Sequence, residues 1–163
     1  MRLKNRTGCV QAENFIRQEV KPFETTGLSV CLKYTQDKDS ALRGYFRPRD
    51  GRIIAAVHPT ATLPAMVRFP VRTEASRDGH FQSACDEEAT ATLDDLMVWV
   101  FFHEFHHFLC HTRQRTGHWQ TKANAYGFEL LRKFKGTVTS QASQPVPLPA
   151  EALKFREPVV GVR

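Results

Sequence analysis

No stretch of the 163-residue chain is apolar over the roughly 20 residues that a membrane-spanning helix needs. The nearest one, around residues 93–109, is broken by Glu104 and histidines. The basic start, Met1 to Arg6, is followed by no apolar signal core, so the expectation is a soluble, cytoplasmic protein with no membrane partner. Cysteine is scarce and irregular. Cys9, Cys31, Cys85 and Cys110 form no CxxC pair, which argues against a zinc finger and for free thiols in a reducing compartment. The chain carries no internal repeat and no helix-turn-helix pattern. Its middle is poor in positive charge: residues 61–111 hold 3 Lys/Arg against 8 Asp/Glu, whereas residues 1–60 hold 11 against 6 and residues 112–163 hold 9 against 3. Basic flanks around an acidic centre permit nucleic-acid contact without demonstrating it.

Length and apolar content suit one globular domain over residues 1–136, followed by a Pro-, Ser- and Gln-rich tail over 137–163 with one helical turn at 150–155. Val10, Phe15, Ile16 and Val20 predict an amphipathic helix over 10–20, ended by Pro22. Strands are expected at 28–34, 42–46 and 52–58, with a tight turn at Asp50-Gly51 between the last two. Residues 66–71 read as an extended edge segment, because Val67, Phe69 and Val71 alternate while Pro70 argues against a central strand. Residues 74–88 read as a polar loop.

A helix over 92–111 follows, opened by a capping box of Thr92 and Asp95, with Asp94 and Asp95 at its positive end. It is apolar on nearly every side, so it belongs at the centre of the domain. A second helix is expected over 118–135, with Gly136 ending it.

The buried helix carries His103, Glu104 and His107, an HExxH motif. Residues four apart share a helix face, so the two imidazoles can grip one metal ion, and Glu104 can act as general base on a metal-bound water. Unpaired polar groups are costly in such a helix, and metal ligation explains their presence. A catalytic zinc takes three protein ligands and keeps a fourth position for water. His111 lies about 12 Å along the axis from His103, too far to share an ion. His118, just after Gly117, is the favoured third ligand; Glu129 is the runner-up, and Gln120 stands near the site as a poor ligand. Tyr126 or a histidine is a candidate donor to the oxyanion, and Asn124 a candidate for orienting a ligand imidazole. His106 and His111 read as exposed or supporting groups. The loop Arg113-Gln114-Arg115 reads as a solvated surface or the lining of a channel.

The stretch 96–134, about a quarter of the chain, resembles small zincin metallopeptidases of the SprT-like and ImmA/IrrE-like groups. Like the SprT-like proteases it has HExxH, a short basic loop, then Gly117-His118 opening the next helix; that resemblance implies His118 as a zinc ligand. The run from Ala123 to Leu131 is similar to the ImmA/IrrE pattern of Ala-Asn, an aromatic and a small residue, then Leu-Leu. That group has a metal-binding Glu three residues before the Ala, where this chain has Gln120. The resemblance implies an α+β, zincin-like fold: a helix, a short antiparallel sheet, the buried HExxH helix and a second helix. It also implies a Zn2+-dependent peptidase acting on a protein or peptide, in one group on proteins crosslinked to DNA and in the other on repressors. In zincins an edge strand before the motif helix pairs with extended substrate, which places that role at 52–58 or 66–71. The rival expectation is a non-catalytic regulator on the same scaffold, binding DNA or a protein.

Overall fold

The computed structural model describes residues 1–37, 40–75 and 81–142. It is a mixed α+β fold with two small sheets and three α-helices among the described residues. In chain order these are β1 (Arg2–Asn5), α1 (Val10–Glu19), β2 (Ser29–Tyr34), β3 (Leu42–Arg47), β4 (Arg52–Val57), β5 (Ala65–Ala75), β6 (Phe81–Thr90), α2 (Leu93–His111) and α3 (Gln120–Ala142).

The first sheet has the order β1-β2-β4-β3 and is mixed, not antiparallel as expected. β1, β2 and β4 run parallel, and only β3 opposes its neighbour. The cause is connectivity. Parallel neighbours need a crossover, and α1 supplies it between β1 and β2. β1 itself escapes sequence reading because it carries one apolar residue, Leu3, among polar ones. β3 and β4 form a hairpin through a 3-10 turn at Pro48–Asp50 that ends on Gly51, as the Asp-Gly signal predicts. β4 is buried from Ile53 to Val57, as befits a strand covered on both faces. β3 is therefore left as the sheet's edge beside β4.

β5 and β6 make a separate antiparallel ribbon with an irregularity at Pro70/Arg72. The polar loop expected at 74–88 is thus mostly strand. Its sequence is polar because a two-stranded ribbon exposes alternate residues, from Ser83 through Ala89. Pro70 is tolerated because neither strand of the ribbon is central.

α2 sits where the sequence put it, with Leu96 to Phe102, Phe105, Phe108 and Leu109 in the core. The capping box forms: Asp95 N–H donates to Thr92 Oγ1 at 3.1 Å and Thr92 N–H to Asp95 Oδ2 at 3.0 Å. Asp94 does something else. Its carboxylate accepts from Ala12 N–H at 2.7 Å, so it caps α1 rather than its own helix. α3 starts two residues later than expected and continues through Gly136 to Ala142, beyond the boundary read at 136. Phe134 and Val138 pack on the core from either side of that glycine, and tertiary packing outweighs its low helix propensity. The remaining tail, with the turn expected at 150–155, lies outside the described residues. No helix among the described residues is long and apolar enough to cross a membrane.

Candidate active site

His103 and His107 rise from one face of α2 with ring centroids 5.1 Å apart. Glu104 lies beside them, its carboxylate 4.0 Å from His103 Nε2. Behind His103 stands Trp99, at 5.3 Å between rings, which in turn stacks on Phe69 of β5. The Nδ1 of His103 is buried without a hydrogen-bond partner. Burial, then the neighbouring His107, pushes the His103 pKa down to about 4, against the opposing amides of Asn124 and Gln120. The ring is therefore neutral at pH 7, the form a metal requires. Burial also lowers His107. Glu104 moves the other way: burial raises its carboxyl to about 7, and the Phe46 backbone N–H pulls it back only in part.

That N–H belongs to β3, and β3 reaches Glu104 because of Gly44. A Cβ on Gly44 would stand 2.7 Å from Val100 Cγ2 and 2.8 Å from Glu104 Cγ and Oε1, closer than real contacts allow. The edge strand thus lies directly on the general-base candidate. Sequence reading missed this role, although a glycine inside a strand is a known mark of close backbone approach. Between β3 and α2 opens a cavity of about 380 Å³, lined by Gly44, Phe46, Glu104, His107, His118 and Gln120 among others.

His118 faces that cavity from the connector between α2 and α3, two residues before α3 begins. It is exposed, and among the described residues no group of three His, Cys, Asp or Glu side chains is gathered closely enough to hold a metal ion. Gln120 stands nearest instead, with Oε1 3.1 Å from His107 Nε2. An amide oxygen only accepts, so this contact puts the proton on Nε2. Two histidines and a neighbouring carboxylate suit zinc; His103 and His107 would hold it, with His118 the further imidazole that lines the cavity. Compared with known protein families, curated proteins and solved structures, the chain matches none.

Other expected residues fall elsewhere. Glu129 and Tyr126 line a second cavity with His106, away from the HExxH pair, so neither is placed to ligate or to meet an oxyanion there. His106 is buried at 3% exposure, with Cys110 Sγ at 3.7 Å from its Nδ1. His111 is exposed at the rim of the first cavity, against Phe46. Asn124 donates to Pro70 O at 2.7 Å, tying α3 to β5 behind His103. The connector is anchored at one end: the Gln114 amide accepts from Glu24 N–H and donates to Glu24 O, both at 2.8 Å. Neither expected edge strand borders the cavity as a free edge. β4 is central and β5 belongs to the other sheet; β3 takes that position.

Proposed function

We propose that the chain is a zinc-dependent peptide hydrolase with a zincin-like arrangement, His103 and His107 holding the metal, His118 completing the set and Glu104 acting as general base. One observation carries the reading. The buried Glu104 carboxyl, raised to about 7, shares one cavity with His107, His118 and the β3 edge, and lies 4.0 Å from the ring of His103. Zinc bound there would supply a polarised water and a Lewis acid for the scissile carbonyl. An extended peptide adds to β3 by main-chain hydrogen bonds, which brings its backbone past Glu104. Glu104 takes a proton from the attacking water and passes it to the leaving amine. A pKa near 7 suits both halves of that transfer. The Phe46 N–H keeps the carboxylate oriented while it is charged.

The test measures bound zinc and the cleavage of a denatured protein by wild type and Glu104→Gln. The expected loss of turnover in the variant is about 10²- to 10⁴-fold with zinc retained. Full activity in the variant ends the catalytic claim.

Gln120 favours a second reading. Its Oε1 meets His107 Nε2, an atom a metal would need, which suits a non-catalytic zincin-like protein that binds DNA or another protein. Such a protein retains no zinc after purification and binds its partner equally well as Glu104→Ala; DNA binding would weaken steeply with salt.

A further inference from the structure

The second cavity, about 530 Å³, is bounded by the connector and the first turns of α3. We propose that it binds a phosphate monoester of a small hydroxylated molecule, with Lys122 and Arg115 holding the phosphate.

The described part of α3 carries four basic residues, Lys122, Arg132, Lys133 and Lys135. Three are matched to carboxylates: Arg132 to Asp86 at 2.7 Å and Glu88 at 3.1 Å, Lys133 to Glu19 at 2.6 Å, and Lys135 to Glu88. Lys122 has no ion pair among the described residues, and it is the one that lines the cavity. Arg115 lines the same cavity, also without an ion pair among the described residues, its guanidinium stacked 4.0 Å over the Tyr126 ring. A stacked guanidinium presents its N–H edge outward in a fixed plane, the geometry that phosphate oxygens accept; an ammonium adds a second, mobile set of donors.

The other lining residues narrow the ligand. Buried His106 has only a thiol for a polar partner, and sulfur is a weak one. Glu129, seven residues and about 10 Å along α3 from Lys122, repels a second anion and accepts from hydroxyl groups. The volume falls within the range of small-molecule pockets and exceeds the needs of a bare phosphate ion. Anion at one end and hydroxyls at the other describe a sugar phosphate or a close relative. This inference stands apart from the hydrolase reading, since none of the lining groups used here is a metal ligand or the general base.

Calorimetric titration of the full chain with ribose 5-phosphate, inorganic phosphate and ribose tests it. Ribose 5-phosphate is expected to bind saturably and more tightly than inorganic phosphate, with no binding of ribose. Lys122→Met and Arg115→Met should each weaken it about tenfold, the size of one charge-assisted hydrogen bond, while Lys122→Arg retains it. Unchanged thermal unfolding of the variants shows that they fold. Absence of saturable binding overturns the proposal. So does binding that survives both Met substitutions, because the phosphate then sits elsewhere. A single-stranded oligonucleotide that binds and loses affinity in both variants, while ribose 5-phosphate does not bind, would reassign the cations to a nucleic-acid backbone.

Discussion

Glu104 shows how one buried side chain can cost stability. Its carboxyl titrates at about 7 in the fold against 4.5 when free, because burial disfavours the charge. The fold therefore favours the protonated form. That stabilisation is full below pH 4.5 and is lost as pH rises through about 7. His103 has the opposite sign: its pKa of about 4 against 6.5 gives stability that is full above pH 6.5 and is lost as pH falls through about 4. Glu104→Gln removes only the first effect. Denaturant unfolding should show the variant gaining on the order of 2 kcal/mol over wild type at pH 8, and much less at pH 5. An equal difference at both pH values would show that the charge is not what strains the site. The HExxH residues were legible because their spacing is local and their chemistry is conspicuous in an apolar helix. Gln120 was legible as a neighbour of the site, but Gly44 and Phe46 were not, because their roles depend on which strand the chain lays across α2.

Elements were legible where periodicity was strong, as in α1, β2, β4 and α2, and obscure where a partner outweighed composition. β1 exists because β2 offers it a parallel edge; β6 exists because β5 pairs with it; α3 passes Gly136 because Phe134 and Val138 both pack on the core. The helix tolerates that glycine at a cost. Nothing lies within 4 Å of a Cβ built there, so Gly136→Ala should stabilise the protein by about 0.5–1 kcal/mol, read as a higher unfolding midpoint. A midpoint that falls would show that the backbone at 136 needs its freedom. The same substitution at Gly44 has the reverse outcome. Its Cβ would press on Val100 and Glu104, so Gly44→Ala should cost about 1–3 kcal/mol and lower any hydrolytic turnover with it. Loss of turnover without loss of stability would mean that the strand shifts and takes Phe46 away from the carboxylate.

Across the whole molecule the uneven charge of the sequence finds its explanation. Asp86 and Glu88 of β6 meet Arg132 and Lys135 of α3, so two of the nine basic residues of the C-terminal flank are neutralised against the acidic centre. Arg132 holds Asp86 below the usual carboxylate range, and Lys135, with Arg132, does the same for Glu88. Depressed carboxyls give stability that is present above their free values, 3.8 and 4.5, and is lost as pH falls through their folded ones. The pairs are partly exposed and solvent-screened, so Arg132→Met should cost about 1 kcal/mol or less at pH 7, shrinking in 1 M salt and in acid. A salt-independent cost would point to lost packing on Phe128, over which the guanidinium lies at 5.7 Å.

The two-way amide clasp between Gln114 and Glu24 has a mechanical consequence. It moors the start of the connector to the segment that follows α1, while further along Arg115 lies 4.0 Å over the Tyr126 ring and Cys110 Sγ meets Gly117 O at 3.5 Å. Gly117 has φ +92°, a backbone geometry open mainly to glycine. The clasp thus fixes where the connector starts, and the glycine geometry one residue before His118 sets the direction in which that residue leaves it.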